Sequence, residues 1–251
     1  MIELYTTGAP NGRKITIFCE EAALPYRITL IDLYEGAHRQ AEFLAVNPNG
    51  RIPAIHDPET GITLWESGAI LQYLAEKTGR FLPVSGAARW EVLKWLFFQV
   101  SHAPYWGQAH VFRLFTPEPI PFAIDRYTAE SHRLYQLIDD RLSVSPWIGG
   151  EDYSIADMAL FPWVEYHPWQ GVALEGYPAV TAWFERMAAR PAVTKGRVTP
   201  WGVDAFGPSA RGAAVGEKVA ERLADPDFGA RPPPDAANRG VTGWISRRRE
   251  G

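Results

Sequence analysis

Arg51, Glu66 and Ser67 put a cation, a carboxylate and a hydroxyl on one short stretch whose backbone is arranged to leave amides exposed. Residues 51–57 (Arg-Ile-Pro-Ala-Ile-His-Asp) read as a strand, 58–61 as a tight turn, and Ile62 and Leu64 as the alternation of a second strand. Pro53 stands at the start of the first strand, where it cannot donate to a ladder, so the backbone beside it at Ile52 is left available. The cis form of an Xaa-Pro bond costs only about 0.5–1 kcal/mol and is open to Ile52–Pro53. Glu66 and Ser67 then open an apolar-periodic helix (Ile70, Leu71, Leu74), whose exposed amides and dipole attract a carboxylate. Free amides, acid, hydroxyl and cation around one small space suit a short zwitterionic peptide.

Other reactive residues carry less. Cys19 falls on the apolar face of a helix with Ile15 and Phe18, where cysteine behaves as a small hydrophobe rather than a nucleophile. Glu165, Tyr166 and His167 are consecutive and cannot share one helix face. Metal-ligand spacing, a phosphate-binding glycine loop and a serine-hydrolase elbow are all missing from the sequence, so no metal is expected.

Composition sets the outer bounds. The 251 residues are 46% hydrophobic and 22% charged, the proportions of a globular protein. A net charge of −4 gives no reason to expect nucleic acid, and the arginine triplet at 247–249 is too short to change that. No apolar run reaches the ~20 residues that cross a bilayer. A start of Met-Ile-Glu-Leu-Tyr lacks the regions of a signal peptide. A single cysteine makes no internal disulfide, so a cytoplasmic protein is expected.

The elements that must position these groups follow from periodicity. Residues 2–6 alternate as a strand; a turn cluster at 8–12 precedes a helix with Asn11 as its expected N-cap, and Pro25 ends it. A second strand over 26–32, parallel to the first, and a short helix over 42–46 lead to the 51–70 stretch. The order is β-α-β-α-β-β-α, a thioredoxin-like α/β domain over 1–83, with a linker up to Gly86. From 87 to 200 the pattern is all helical, with a bend expected at Pro104 and a long helix from Pro121. Ser154-Ile-Ala-Asp157 before an apolar run is a capping box, with Tyr153 as its hydrophobic staple. The 201–251 tail is rich in Pro, Gly and Arg; one or two helical turns are expected at 217–223, and the rest reads as extended or disordered. Trp201, Phe206, Phe228 and Trp244 could strap the rest onto the helical domain.

Arg-Ile-Pro-Ala at 51–54 followed by Trp-Glu-Ser-Gly-Ala-Ile at 65–70 resembles the glutathione-binding half of glutathione transferases, and the resemblance extends over residues 1–200. Pro-Asn-Gly-Arg-Lys-Ile-Thr at 10–16 and Ala-Glu-Lys-Thr-Gly at 75–79 are similar to the Nu-class and yeast-prion-like branch. The resemblance implies a glutathione S-transferase fold and glutathione as co-substrate. It implies that Ile52 beside Pro53 binds the cysteinyl unit through its backbone, that Glu66 and Ser67 hold the γ-glutamyl amine and carboxylate, and that His38 and Arg51 meet carboxylates. Asn11 is the implied catalytic donor to the thiolate; the branch often has a threonine two residues earlier, where this chain has Ala9, with Thr7 as the substitute hydroxyl. Trp106, Gln108, His110, Phe112 and Arg126 are the implied second-substrate pocket, although aromatic core packing and a helical Arg126–Glu130 pair explain several of them equally well. A homodimer is implied too.

Three activities stand open on these residues. The first is disulfide reduction by two glutathione molecules, with weak conjugating or peroxidase activity. The second is glutathione-dependent aryl-ether cleavage or electrophile conjugation. The third is a glutathione-binding regulatory protein with little catalysis, which Ala9 favours.

Overall fold

β1 (Ile2–Thr6) buries every second residue and lies inside a four-stranded sheet of order β2-β1-β3-β4. The computed structural model describes residues 1–200 and 209–225. β2 (Tyr26–Leu30) pairs parallel to β1, with Ile2 opposite Tyr26 and Thr6 opposite Leu30. A parallel pair needs a crossover, and α1 (Pro10–Ala22) provides it. β2 stops two residues short of expectation because Asp32 turns the chain, its Oδ1 accepting from the amides of Tyr34 and Glu35 at 2.8 and 3.1 Å. After a short helix, α2 (Ala41–Leu44), β3 (Ala54–Asp57) runs antiparallel to β1 and β4 (Ile62–Trp65) antiparallel to β3. α3 (Ser67–Thr78) closes the thioredoxin-like order read from periodicity.

The helical part comprises α4 (Gly86–His110), α5 (Pro121–Ser143), α6 (Ile155–Val164), α7 (Pro178–Ala188) and α8 (Pro191–Arg197). α4 runs on past Pro104 and passes into a widened π-helical turn at Val111–Phe115. α6 has all ten residues buried, the pattern of a helix apolar on every side at the centre of a core. The expected capping box is present: Ser154 caps the helix and Asp157 answers it.

α1 is the joint between the two parts. Its Gly12 fits against the end of β1, where an added Cβ would fall 2.1 Å from Thr6 Oγ1. On its other side, a Cβ at Gly196 of α8 would fall 2.6 Å from the Ile17 Cα, so the two helices touch through backbone, and Thr16 Oγ1 donates to the Gly196 carbonyl at 2.7 Å. Arg13, 1% exposed, pairs at 3.1 Å with Glu165, which Arg197 also binds. Glu165 therefore ties α1 to the helical part, and His167 is occupied by the Val172 carbonyl at 2.7 Å. One apolar cluster runs through both parts, from Ile2 and Phe18 to Trp106, Ile155 and Trp183.

In the tail, α9 (Ala210–Ala224) is longer than the turns expected at 217–223. Ser209 Oγ accepts from the Gly212 amide at 3.1 Å, and the alanines behind it favour helix. Arg222 donates to the carbonyls of Thr116 at 2.8 Å and Arg113 at 3.3 Å, which docks α9 on the π-helical turn. The four tail aromatics Trp201, Phe206, Phe228 and Trp244 lie outside the described residues. Among the described residues no helix is long and apolar enough to cross a membrane.

Candidate active site

A cavity of about 660 Å³ opens where the N-terminal ends of α1 and α3 face α4 and α6. Asn11, His38, Arg51, Ile52, Pro53, Glu66 and Ser67 all line it. These residues are far apart in sequence, and the sheet order brings them together. β3 lies beside β1, so the Ile52–Pro53 loop comes next to the start of α1.

The Ile52–Pro53 bond is cis, and the ladder of β3 begins only at Ala54, leaving Ile52 outside it. Asn47 braces this loop, donating to the Arg51 carbonyl at 2.6 Å and accepting from the Asn49 amide at 2.9 Å. Glu66 sits at φ +74°, a left-handed conformation that costs a side-chain-bearing residue about 1–3 kcal/mol and persists where the surroundings demand it. That bend turns β4 into α3 and delivers Ser67 to the cavity at the first turn of the helix, among amides that have no helical partner. His38 stands in the turn Ala37–Arg39 with its Nδ1 unpartnered, and burial first, then Arg39 and Arg51, hold its pKa below the ordinary value.

Asn11 is not the N-cap. Ala9 takes that position because Pro10, which has no N–H to satisfy, occupies the first helical residue. Asn11 is thereby released for a different contact: its Oδ1 accepts from Trp163 Nε1 at 2.9 Å. An indole N–H only donates, so it fixes which end of the amide faces it and turns the Nδ2 donors the other way. Trp163 is itself clamped by stacked rings, Trp106 at 6.3 Å and His110 at 5.8 Å.

That stack keeps Trp106 and His110, two of the residues implied for a second substrate, behind the cavity wall. Trp106 and His110, one turn apart on α4, face inward and are 0% and 8% exposed. Burial, and secondarily Arg113, pulls the His110 imidazole down to about 3, so it is neutral at physiological pH. Phe112 stacks on Tyr127 at 5.4 Å, Gln108 is exposed, and Arg126 reaches Glu130 at 3.9 Å. Thr7 is buried where the chain leaves β1, with its carbonyl accepting from Thr6 Oγ1. None of these six lines the cavity, whose helical wall is Val100, Ala103, Pro104 and Trp163.

Three side chains of this region escape a sequence reading. Lys14, one turn after Asn11, is 1% exposed and lines the cavity; its Nζ donates to Ser67 Oγ at 3.1 Å and to Gln99 Oε1 at 2.6 Å. Burial brings its pKa down to about 7, against an opposing pull from Glu66. Gln99 on α4 is fully buried. Trp163 lies within the uniformly apolar α6, where no pattern marks one ring from another; for Lys14 the signal was its position three residues after Asn11 on one face. Cys19 is 1% exposed and burial pushes its thiol up to about 12, which agrees with the expectation that it is not the nucleophile.

Comparison with known proteins identifies the family of the fold. The glutathione S-transferase N-terminal domain model matches residues 9–77, and the glutathione S-transferase C-terminal domain model matches 104–191. The disulfide-bond oxidoreductase YfcG of Escherichia coli (strain K12) is 50% identical over 198 residues, covering 76% of this chain and 92% of the relative. A Burkholderia graminis glutathione transferase, solved with two glutathione molecules per subunit, superposes with a TM-score of 0.75 at 39% identity, over 79% of this chain and 88% of that one. A Pseudomonas putida glutathione transferase with one bound glutathione disulfide gives 0.76 at 36%, over 79% and 91%. Matched in both halves and across nearly the whole length of these relatives, the chain belongs to the glutathione S-transferase family.

Proposed function

We propose that this protein reduces disulfides with glutathione and uses no thiol of its own. The observation that carries the reading is the Trp163–Asn11 hydrogen bond, which turns an amide donor away from the indole in a residue that lines the cavity. Glutathione bound along Ile52, Glu66 and Ser67 places its sulfur at the start of α1. A free thiol with a pKa of about 8.5 is mostly protonated at neutral pH, and helix N-termini lower that value. The Asn11 Nδ2–H and the α1 amides stabilise the thiolate there. It attacks one sulfur of the substrate disulfide, forming a mixed disulfide and expelling the other sulfur as a thiolate that takes up a proton. A second glutathione thiolate attacks the glutathione sulfur of the mixed species, giving glutathione disulfide and the second free thiol. Arg126 on α5, paired with Glu130 at 3.9 Å and outside the cavity wall, is the cation this scheme assigns to a carboxylate of that second tripeptide at the cavity's approach.

The single cysteine of the chain supports this scheme, being buried with its thiol near 12. The name of the Escherichia coli relative and the ligands in the two neighbour structures support it as well. Aryl-ether cleavage and conjugation drew on an aromatic pocket; Trp106 and His110 are buried, and among the described residues Trp163 is the one tryptophan, tyrosine or phenylalanine ring of the cavity wall. Purified protein is expected to turn over hydroxyethyl disulfide with glutathione, followed as glutathione disulfide formed; a rate equal to the uncatalysed exchange would remove the reading.

The protein pairs with a second copy in the same proposal. Trp90 and Phe97, two turns apart on one stripe of α4, are 69% and 61% exposed, and Trp65 at the end of edge strand β4 is 39% exposed. Exposed rings of this size mark an interaction face. Light scattering is expected to give twice the chain mass, and a monomer at micromolar concentration would contradict the pairing.

A further inference from the structure

Lys14 is a lysine buried to 1% exposure in the wall of the cavity. Two neutral oxygens, Ser67 Oγ and Gln99 Oε1, receive hydrogen bonds from the Lys14 Nζ. Among the described residues no carboxylate comes within ion-pair distance of it, although twelve such pairs form elsewhere. A buried charge is costly unless paired. Lys14 also lines the cavity, beside the residues that hold the γ-glutamyl group in the glutathione reading. By donating to Ser67 Oγ, the ammonium occupies an acceptor position of that oxygen, and the Ser67 O–H is left to donate elsewhere.

We infer that Lys14 is a positioning residue that supplies the missing counter-charge of the γ-glutamyl subsite, orienting the Ser67 hydroxyl toward the ligand's α-carboxylate and taking up a proton when that carboxylate binds. The inference rests on the glutathione reading. The groups facing Lys14 are Glu66 just before α3, Ser67 at its first turn and Gln99 from α4; on α1 the neighbouring Arg13 is engaged by Glu165. His38 and Arg51 are the other titratable groups of the cavity; burial, then Arg39 and Arg51, hold the His38 pKa below its ordinary value, and Lys14→Met separates its proton uptake from that of Lys14.

The sign follows from linkage. With a pKa of about 7 in the ligand-free protein, Lys14 is half-charged near neutrality, and an arriving carboxylate raises that value. Binding therefore takes up protons, and affinity falls as pH rises past 7. The same burial makes Lys14 a burden on the empty fold: the unfolded lysine holds its proton up to about 10.4, so the destabilisation is complete below pH 7 and is relieved as pH rises from there toward 10.

S-methylglutathione, whose sulfur carries no proton, is the probe, titrated calorimetrically from pH 6.5 to 8.0 in two buffers of different ionisation heat. The wild type is expected to take up a fraction of a proton near pH 7.5 and to lose roughly five- to tenfold in affinity across the window. Lys14→Met is expected to bind more weakly at pH 6.5, with no proton uptake and a flat pH profile, and to melt no lower than the wild type at that pH. Wild-type binding without proton uptake overturns the inference and leaves the glutathione reading standing, as does an unchanged uptake in Lys14→Met. Failure of the wild type to bind S-methylglutathione at all overturns the glutathione reading, and this inference with it.

Discussion

Asn11→Ala is expected to lower kcat/KM for glutathione-dependent disulfide reduction about 10- to 100-fold, the worth of one hydrogen bond to a charged group at about 1.5–3 kcal/mol. The loss appears in the thiolate-forming step, so a pH–rate profile shifts to a higher apparent pKa. Truncation also strands the Trp163 N–H, which Asn11 Oδ1 accepts at 2.9 Å. Asn11→Asp separates the two effects. Its carboxylate still accepts from Trp163 and keeps the packing, but it has no donor for sulfur and sets a negative charge beside the thiolate. The Asp variant is therefore expected to melt near the wild-type temperature and to be the slower enzyme of the two. Equal activity of both variants and the wild type would remove Asn11 from the chemistry.

Asp157→Ala is expected to cost stability on a larger scale, about 3–5 kcal/mol. Asp157 is 0% exposed and its carboxylate gathers four donors: the Ile148 amide and Trp183 Nε1 at 2.9 Å on Oδ1, and the Ser154 amide and hydroxyl at 3.0 Å on Oδ2. Burial raises its pKa and those donors pull it back, so the group joins three segments at once: the loop before α6, the helix start and α7. Alanine leaves every one of these donors without a partner in the core, at about 1–3 kcal/mol for each that finds no water. In a chain of this size 1 kcal/mol moves Tm by about 2–4 °C, so a fall on the order of 10 °C is the expected calorimetric result. Ser154→Ala removes only the cap and its hydroxyl contact, and a loss of about 1 kcal/mol is its counterpart. A shift in Asp157→Ala no larger than that of Ser154→Ala would show that the network adds nothing to the cap.

The capping box was legible because its signal is local: Ser154 and Asp157 are three residues apart. The same holds for the strand–turn–strand at Ala54–Asp57 and Ile62–Trp65, where alternation and Pro53 mark the sheet edge of the site. What the sequence hid is long-range. Trp163 meets Asn11 across a separation of 152 residues, and Lys14 meets Gln99 across 85, distances at which periodicity carries no information. Lys14 also runs against pattern, since a lysine on an amphipathic helix is ordinarily placed in solvent. Asn11 as N-cap was a misreading of a visible signal, because a proline at 10 points to residue 9 as the cap. Trp106 and His110 were read as pocket residues from the resemblance alone; in the fold they stack behind Trp163, a packing that their positions in the sequence do not announce. In the tail, alanine and glycine obscured α9, although Ser209 with an amide three residues on is an ordinary cap.

The most direct test of a thiolate made without a protein thiol is a pH titration of glutathione bound to the wild-type protein, read as thiolate absorbance in the ultraviolet. The expected result is a thiol pKa at least about one unit below the free value of about 8.5. A bound thiol that titrates at the free value would contradict the assignment of Asn11 and the α1 amides, and would leave a protein that holds glutathione without activating it.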